Sequence, residues 1–399
     1  MNPFGSFLTL LGLHVLASRE SYHRVILDTL TARIVRIAGH LSETKYACSA
    51  LTRLTDGTTN FVFRGTLARP LPPPISSKDN LQGHPIETVI IKHTASFAAL
   101  NKDLPIDLSR CVLSINPIRV IEASILSLLN EFPGTALVKT PHLYLFDPNT
   151  SIQVLQDIPG VVDLKMIVVS PTARAILSPS LATSIGHGLE IKIEHNEPMR
   201  KLKYLLTYDA FIGNLEQFPD VLENYKDVLN EVKLMASKDF ERTASDGQGE
   251  EWGIIHGDFW SGNILIPEAH QPAGELKLYV VDWEFVQFGH RAYDIGHMIG
   301  DLYERRHFND AEAALPVIYA FIDGYGAVSE DMAFRIAIHA GVQLITWVVR
   351  GPPLRMRPPE AMRRAPSAMK LGMDMVVKGH TKDKKWFETS ILAGSFKRN

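Results

Sequence analysis

Residues 254–265 read IIHGDFWSGNIL and place three polar side chains inside a run typical of a protein core. The three are His256, Asp258 and Asn263, and the residues around them include Ile254, Ile255, Ile264 and Leu265. A buried carboxylate or amide destabilises a fold unless a hydrogen bond or an ion satisfies it. We therefore expect this loop to carry chemistry rather than to fill space.

A second polar group follows at the end of the next apolar segment. Residues 264–267 and 277–281 are strand-like and flank a turn that contains proline and glycine, which predicts a β-hairpin. The second strand runs directly into Asp282 in the sequence VVDWE. Folding the hairpin would bring Asp282 back toward Asn263.

Together these residues suit a divalent cation and a reacting hydroxyl. The carboxylate of Asp282 and the amide oxygen of Asn263 are hard oxygen ligands, and Mg²⁺ would relieve the repulsion between the neighbouring carboxylates. Asp258, near the metal but outside its ligands, could accept a proton from an attacking hydroxyl. The alternative is that these side chains only cap turns in a loop.

A base that orients a hydroxyl and an oxygen site for Mg²⁺ are two requirements of phosphoryl transfer. That reaction also needs a cation for the phosphates and a loop that covers them. Lys92 ends an apolar strand, and Glu122 on the following predicted helix would pair with it. An alternative for a lone lysine at such a position is a snorkelling edge residue. The strand-turn-strand pattern of residues 54–64, with Gly57 and Asn60, would cover the phosphates with its backbone.

Four further residues have two interpretations each. His256 is expected to hydrogen-bond backbone and shape the loop rather than act as a ligand or base. Trp283 is a core residue or part of an acceptor pocket, and Glu284 could face that pocket. Arg350, from a late helix, either reaches the pocket or lies on the surface.

The motif HGDFWSGN, with VVDWE around the aspartate 19 residues after Asn263, resembles the aminoglycoside phosphotransferase and choline kinase superfamily. The resemblance covers roughly residues 45–350. The longer match, WSGNIL followed by VDWEFVQFGHRAYDIGHMIGDLY, is most similar to the methylthioribose kinase-like branch, which includes the fungal 4-hydroxytryptamine kinase. That superfamily is related to the protein kinases.

This resemblance implies an α+β fold with two lobes of the protein-kinase-like type. The N-lobe would hold a small antiparallel sheet plus one helix, and the larger C-lobe would be mostly helical. We expect an N-terminal extension and helix over residues 1–44, the nucleotide-binding N-lobe over 45–158, and the C-lobe over 159–399. The C-lobe would carry the catalytic loop, the metal site and the acceptor pocket.

The resemblance also implies roles for individual residues, with ATP and Mg²⁺ as cofactors. Asp258 would be the catalytic base, and Asn263 and Asp282 the Mg²⁺ ligands. The nucleotide would be bound by the pair Lys92 and Glu122, by Gly57 and Asn60 of the nucleotide loop, and by the backbone of the hinge from Gln156 to Ile158. Asp294 would brace the catalytic loop.

The expected reaction moves the γ-phosphate of ATP to a hydroxyl of a small molecule. The acceptor stays open among methylthioribose-, aminoglycoside-, choline- and hydroxytryptamine-like compounds. Glu284, Asp301 and Glu304 could form an acidic pocket, which would favour an amine. The alternative is an inactive pseudokinase that binds nucleotide or serves as a scaffold; Lys92 with the three loop and hairpin residues forms a complete catalytic set, which favours the enzyme.

Composition limits the other classes. A chain of 399 residues is long enough for two lobes, and its net charge of -3 gives no basic surface for nucleic acid or an anionic membrane. The two cysteines, Cys48 and Cys111, favour a reducing compartment, the cytoplasm. Residues 4–17, FGSFLTLLGLHVLA, resemble a signal peptide; the alternatives are a helix or an extension. A cleaved signal would instead favour a secreted binding protein. The oligomeric state is not predicted.

Overall fold

The computed structural model describes most of the chain. The described residues are 19–54, 59–72, 85–97, 99, 138–170, 197–216, 218–243, 249, 251–267, 278–350 and 358–396. Side chains of the first helix are described from Leu30 onward, and those at the end of the helix before residue 351 are described up to Thr346. The segment 4–17, Gly57 and Glu122 lie outside the described residues.

The strands, in chain order, are β1 Cys48–Leu54, β2 Phe61–Leu71, β3 Ile86–His93, β4 Val138–Lys139, β5 Leu143–Asp147, β6 Ile152–Gln156, β7 Val161–Asp163, β8 Trp252–Ile255, β9 Ile264–Pro267, β10 Leu278–Val280 and β11 Gln287–His290. Turns of 3₁₀-helix cover Ser261–Asn263, Trp283–Phe285 and Ala393–Phe396.

The helices are α1 Arg19–Ser42, α2 Leu164–Val169, α3 Glu197–Tyr204, α4 Ala210–Leu215, α5 Pro219–Leu222, α6 Lys226–Glu241, α7 Ala292–Asn309, α8 Ala314–Tyr325, α9 Glu330–Arg350, α10 Pro359–His380 and α11 Lys384–Phe387. A π-helical turn, Leu205–Asp209, joins α3 to α4. None of the described helices is both long and apolar enough to cross a membrane.

The chain divides into two compact units, each with its own core. The N-terminal unit contains α1 and an antiparallel sheet in the order β1-β2-β3-β6-β5. Because successive side chains of a strand point to opposite faces, Phe61 and Phe63 of β2 share one face. They are buried together with Ile91 of β3 and with Ile37 and Leu41 of α1. One face of the sheet is therefore covered by the helix.

The C-terminal unit contains β4, β7 and every later element. A four-stranded sheet in the order β4-β10-β9-β7 and an antiparallel pair, β8 with β11, lie among the helices. Helices α7 and α9 approach so closely that a Cβ on Gly296 would lie 2.6 Å from the Cβ of His339. A Cβ on Gly341 of α9 would lie 2.4 Å from the carbonyl oxygen of Gly372 of α10. Glycine at these positions allows the backbones to touch, so the unit is packed through helix-on-helix contact.

The predicted α+β class is confirmed: a small antiparallel sheet with one helix precedes a mostly helical part. The predicted hairpin is present, since β9 and β10 pair antiparallel. Residues 69–87, RPLPPPISSKDNLQGHPIE, are rich in proline and polar residues and predict a surface loop. This prediction was wrong at both ends, because β2 continues to Leu71 and β3 starts at Ile86. Among the later helices the sequence predicts one hairpin, and the structure contains a further antiparallel strand pair, β8 with β11. The domain boundaries at residues 44 and 158 stay a prediction.

Candidate active site

The polar loop of the opening motif connects strands of two different sheets. β8 ends at the buried Ile255, and β9 begins at the buried Ile264. Between them lie an irregular segment from His256 to Trp260 and the 3₁₀ turn Ser261–Asn263. The apolar residues on either side of the motif therefore fix both ends of the loop in the core.

Asp294, in the first turn of α7, holds the start of this loop. Its Oδ2 accepts a hydrogen bond of 2.6 Å from the backbone N–H of His256, and its Oδ1 accepts one of 3.0 Å from Gly257. Burial raises the pKa of the Asp294 carboxyl, while His256 and the two amide donors oppose that rise. One carboxylate thus fastens two successive residues of the loop to a helix.

His256 connects the loop to the end of β10. Its Nε2 lies 2.9 Å from the carbonyl oxygen of Val281, and the backbone N–H of Asp258 lies 3.3 Å from its Nδ1. Because a carbonyl can only accept, we infer that Nε2 carries the hydrogen and Nδ1 accepts. Gly257 has a positive φ of 79°, and a Cβ there would lie 2.2 Å from the carbonyl oxygen of Phe285. This turn accepts only glycine.

Asp258 lies beside a buried lysine that the sequence interpretation missed. Its side chain is 26% exposed, and its Oδ1 lies 3.2 Å from Nζ of Lys203 on α3, whose side chain is 7% exposed. The Nδ1 atom of His297 on α7 is 3.9 Å from the same carboxylate oxygen and 3.5 Å from the ammonium. Two helices therefore present nitrogen atoms to one oxygen of Asp258.

Asn263 and Asp282 lie at adjoining points of the backbone. The Nδ2 group of Asn263 donates to the carbonyl oxygen of Asp258 at 2.9 Å, so its amide oxygen is the atom that could bind a metal. The N–H of Val281 donates to the carbonyl oxygen of Asn263 at 3.0 Å, which brings the next residue, Asp282, close to the loop. Asp282 has φ 67° and ψ 54°, a left-handed conformation that is costly without glycine and is common at functional sites.

These donors fit Mg²⁺ and fit softer metals poorly. Mg²⁺ is usually held by one or two carboxylates, with water and substrate phosphates completing its octahedron. Asp282 and Asn263 supply a carboxylate and an amide oxygen. Within the described part of the chain, no cluster of three or more histidine, cysteine, aspartate or glutamate side chains could hold a metal. The donor set therefore matches a cation that arrives with a phosphate-bearing substrate.

The remaining candidates are Trp283, which is partly buried, Glu284 and Arg350. The indole N–H of Trp283 donates to the carbonyl oxygen of Val280 at 3.0 Å, and its ring lies 4.7 Å from that of His256. Trp283 also packs against the main core of the unit, as its core interpretation expects. Glu284 is buried. Arg350 ends α9, and its side chain lies outside the described part.

A second fastening of the loop was also missed. Both the backbone N–H and the hydroxyl of Ser261 donate to Oδ2 of Asp301, at 3.1 Å for the N–H. Arg305, one turn later on α7, pairs with Oδ1 of Asp301 at 2.6 Å and donates to the Ser261 hydroxyl at 3.0 Å. Asp301 is 0% exposed, so the prediction that it contributes to an acidic pocket was wrong. Its carboxylate instead accepts hydrogen bonds from Ser261 of the loop and forms an ion pair with Arg305.

The nucleotide-binding candidates lie in the N-terminal unit. Lys92 is buried on β3, and the Oδ1 atom of Asn60 accepts from the Thr94 hydroxyl at 2.9 Å. Gln156, which ends β6, pairs with His142: its N–H donates to the carbonyl of His142 at 2.8 Å, and its Oε1 accepts from the N–H of His142 at 3.2 Å. The N–H of Gln156 is therefore engaged within the sheet, and Ile158 follows two residues later, partly buried.

The next residue, Asp157, lies inside the predicted hinge from Gln156 to Ile158 and has a partner on β2. Its carboxylate binds the Arg64 guanidinium through two contacts, of 2.8 and 3.1 Å. A bidentate pair of this kind fixes both partners more firmly than a single contact. The predicted hinge, which begins at the last residue of β6, is therefore held to β2 through Asp157.

Comparison with known proteins finds a family match within the larger unit. Residues 192–335 match APH, the phosphotransferase enzyme family. This segment is similar to that family. Within the matched segment lie α3 with Lys203, the loop with Asp258 and Asn263, the hairpin with Asp282, and α7.

Two curated relatives cover most of the chain. The phosphotransferase FrzJ of a Cladobotryum species is 29% identical over 342 residues, 77% of this chain and 83% of its own. The 4-hydroxytryptamine kinase of Psilocybe cubensis is 24% identical over 332 residues, 80% of this chain and 86% of its own. Among solved structures, the choline kinase LicA from Streptococcus pneumoniae matches with a TM-score of 0.44 and 16% identity, over 88% of this chain and 99% of that one. The predicted resemblance to this group of phosphotransferases is confirmed.

Proposed function

We propose that the protein is an ATP- and Mg²⁺-dependent enzyme that transfers the γ-phosphate to a hydroxyl of a small molecule. The observation that carries this proposal is the placement of Asp258 inside the segment that matches the phosphotransferase family. Lys203 holds one oxygen of its carboxylate, and the side-chain amide of Asn263 donates to its backbone carbonyl. A relative named 4-hydroxytryptamine kinase supports a small-molecule acceptor.

In this proposal Asp258 is the base. Lys203 holds Oδ1, and the Nδ2 group of Asn263 lies 3.5 Å from the other oxygen, Oδ2. The remaining lone pair of Oδ2 would accept a hydrogen bond from the acceptor hydroxyl and finally its proton, as the new O–P bond forms and the bond from the γ-phosphorus to ADP breaks. The fastenings of the loop to Asp294 and Asp301 would fix that oxygen before the acceptor arrives. Positioning then supplies a large part of the rate.

The cofactor residues follow from the same assignment. Asn263 and Asp282 would hold Mg²⁺, which when bound supplies positive charge against the phosphates. Lys92 with Glu122, and the nucleotide loop with Gly57 and Asn60, would bind the phosphates of ATP. The backbone of the hinge from Gln156 to Ile158 would contact adenine, with the N–H of Gln156 excluded because it is engaged by His142.

The acceptor is best sought among hydroxyl compounds of the classes that related enzymes use. A purified full-length protein would be supplied with Mg²⁺-ATP and, one at a time, a hydroxytryptamine, choline, ethanolamine, methylthioribose and an aminoglycoside. We expect one class to yield ADP and phosphorylated acceptor in equal amounts. ATP binding without turnover across the panel would instead support the pseudokinase alternative.

The base is tested by the change Asp258→Ala, measured with the best acceptor. We expect kcat to fall by about 10³-fold, within the usual range for loss of a general base, while the Kd for Mg²⁺-ADP stays near that of the unmodified protein. The matched control is Asp220→Ala, which removes an exposed carboxylate on α5. Near-native turnover by Asp258→Ala would show that the base is another residue.

A further inference from the structure

The N-terminal unit contains a group of arginines around two aromatic rings. The guanidinium carbon of Arg33 lies 3.7 Å from the ring centroid of Phe61, and that of Arg53 lies 5.4 Å from the same ring. The Nη1 atom of Arg33 is 2.5 Å from Nδ1 of His93, and Nη2 of Arg36 is 3.1 Å from Nε2 of that imidazole. The two rings are 6.5 Å apart, so three guanidinium groups lie around one small region, which we call the arginine cluster.

Within the described residues, no carboxylate balances the positive charge of the cluster. Among the residues that the structure describes, no carboxylate forms an ion pair with Arg33, Arg36 or Arg53. Burial, followed by repulsion from the other two arginines, lowers the pKa of Arg33 to about 10. Like charges brought together in a partly desolvated place destabilise the fold unless an anion compensates them.

The histidine at the centre cannot satisfy both of its neighbours. Burial, then Arg33 and Arg36, lower the pKa of His93 to about 3, so the imidazole is neutral near pH 7. A neutral imidazole has one N–H and one acceptor nitrogen, whereas a guanidinium only donates. One of the two arginine contacts therefore brings two donors together. The Nε atoms of Arg33 and Arg53 are also buried without a hydrogen-bond partner among the described residues.

The central histidine of the cluster and the lysine proposed to bind ATP lie on opposite faces of the sheet, whereas Phe61 lies within the proposed nucleotide loop. Successive side chains of β3 point to opposite faces of the sheet, so His93 lies on the face opposite to Lys92. Phe61 shares the buried face that α1 covers, and Arg33 and Arg36 come from α1 itself. Arg33 is only 8% exposed, whereas Arg36 is exposed and Arg53 partly exposed.

We propose that the arginine cluster is an anion-binding site that takes a phosphate group. A tetrahedral phosphate offers several acceptor oxygens and suits the planar fork of guanidinium better than a single carboxylate does. The phosphate would accept hydrogen bonds from the three guanidinium groups and from the N–H of His93. It would thereby separate that N–H from the arginine donor that now faces it. This inference is independent of the proposed transfer reaction.

The experiment measures binding of inorganic phosphate to the full-length protein by calorimetry and by thermal unfolding. Ionic strength is held constant with sodium chloride, and a chelator removes Mg²⁺. We expect saturable binding that raises the melting temperature, since a ligand that binds only the folded state stabilises it. Arg36→Gln and Arg53→Gln, whose side chains are not fully buried, should each weaken the Kd by about tenfold, as loss of one charge-assisted hydrogen bond predicts.

The matched control is Arg69→Gln, which removes the same charge from an exposed position near the other end of β2. It should leave the Kd for phosphate unchanged. Asp258→Ala should also leave it unchanged, which separates failure of this inference from failure of the proposed reaction. No phosphate binding, or equal weakening by Arg69→Gln and Arg36→Gln, would overturn the anion site.

A parallel titration with ADP, again without Mg²⁺, distinguishes the source of the phosphate group. If Arg36→Gln weakens ADP binding as much as phosphate binding, the site takes the phosphate tail of a nucleotide. If the change weakens only phosphate binding, the site takes free phosphate. Both results support a phosphate site, and each specifies its ligand.

Discussion

At the scale of single residues, Lys203 is the main addition of the structure to the proposed mechanism. Its ammonium is buried and reaches the carboxylate of Asp258, although the two residues are 55 positions apart in the sequence. A buried cation next to a carboxylate fixes that group in one orientation and adds positive charge where phosphate oxygens would gather. Lys203 is thus a positioning residue for the base in the proposed reaction.

The role of Lys203 is tested by comparing Lys203→Met with Lys203→Arg. We expect Lys203→Met to lower kcat by about 10²-fold with little change in KM for ATP, because the loss falls on the transition state. Lys203→Arg should recover part of the rate, since the charge returns with a different shape. Both kinetic constants are measured by ADP release.

The control for Lys203 is on the same helix. Lys201 is exposed on α3, so Lys201→Met removes an equal charge two residues away. Its kinetics should match those of the unmodified protein. If Lys203→Met changed only thermal stability and left kcat intact, the lysine would serve packing alone.

The site residues predicted from the sequence lie close to one another along the chain. Asp258, Asn263 and Asp282 occur in one motif and one hairpin, so local pattern alone brings them together. Lys203 and Asp301 reach the loop from helices whose packing angles no local pattern specifies. Asp301 and Arg305 do have the i, i+4 spacing of an ion pair on a helix, but that spacing is equally common on exposed faces.

At the scale of elements, α7 supports the loop from His256 to Asn263. Asp294 in its first turn binds the beginning of the loop, and Asp301, seven residues later, binds Ser261 near its end. The two strands of the predicted hairpin were found, whereas β8 and β11 were missed. They are only four residues long, and β11 buries Gln287 and His290 as well as glycine, so its sequence shows no apolar alternation.

The contribution of the buried pair on α7 is tested by Asp301→Asn. The change keeps an acceptor for Ser261 but leaves the charge of Arg305 uncompensated, so we expect the free energy of unfolding to fall by about 3 kcal/mol. Activity should fall as well, because the end of the loop loses part of its support. Urea unfolding and initial rates are the two measurements.

An ion pair with the same spacing provides the comparison. Lys370 and Asp374 on α10 are also i, i+4, but the lysine side chain is 72% exposed. Asp374→Asn should therefore change the free energy of unfolding by less than about 0.5 kcal/mol. Equal losses for the two changes would mean that burial does not set the strength of the pair on α7.

At the scale of the whole molecule, buried histidines set the response of stability to acid. Burial lowers the pKa of His93 and of His290 to about 3, with nearby arginines adding to the effect, and lowers the pKa of His339 well below its usual value. Above the unfolded pKa, near 6.5, both folded and unfolded states are neutral at these positions. Below the unfolded pKa, these histidines bind protons in the unfolded state but not in the folded state. The free energy of unfolding therefore falls as the pH falls.

We therefore expect the free energy of unfolding to fall between pH 6.5 and pH 5. Each fully buried histidine would contribute about 2 kcal/mol of loss at pH 5, and both units contain at least one. Urea unfolding at a series of pH values measures the effect, and the interval from pH 7 to pH 8 is the reference in which these histidines contribute nothing. Stability that rises on acidification over this range would contradict the assignment of neutral buried histidines.

The double attachment of this loop to α7 also has an evolutionary consequence. A loop tied at two points to a helix that touches α9 through glycine cannot adopt a new shape for a new acceptor without disrupting the core. Descendants of such a scaffold would diversify their acceptor choice through segments that surround the loop, while the loop itself stays unchanged. A mutant library built to redirect this enzyme should therefore leave residues 256–263 and α7 untouched and vary the chain elsewhere.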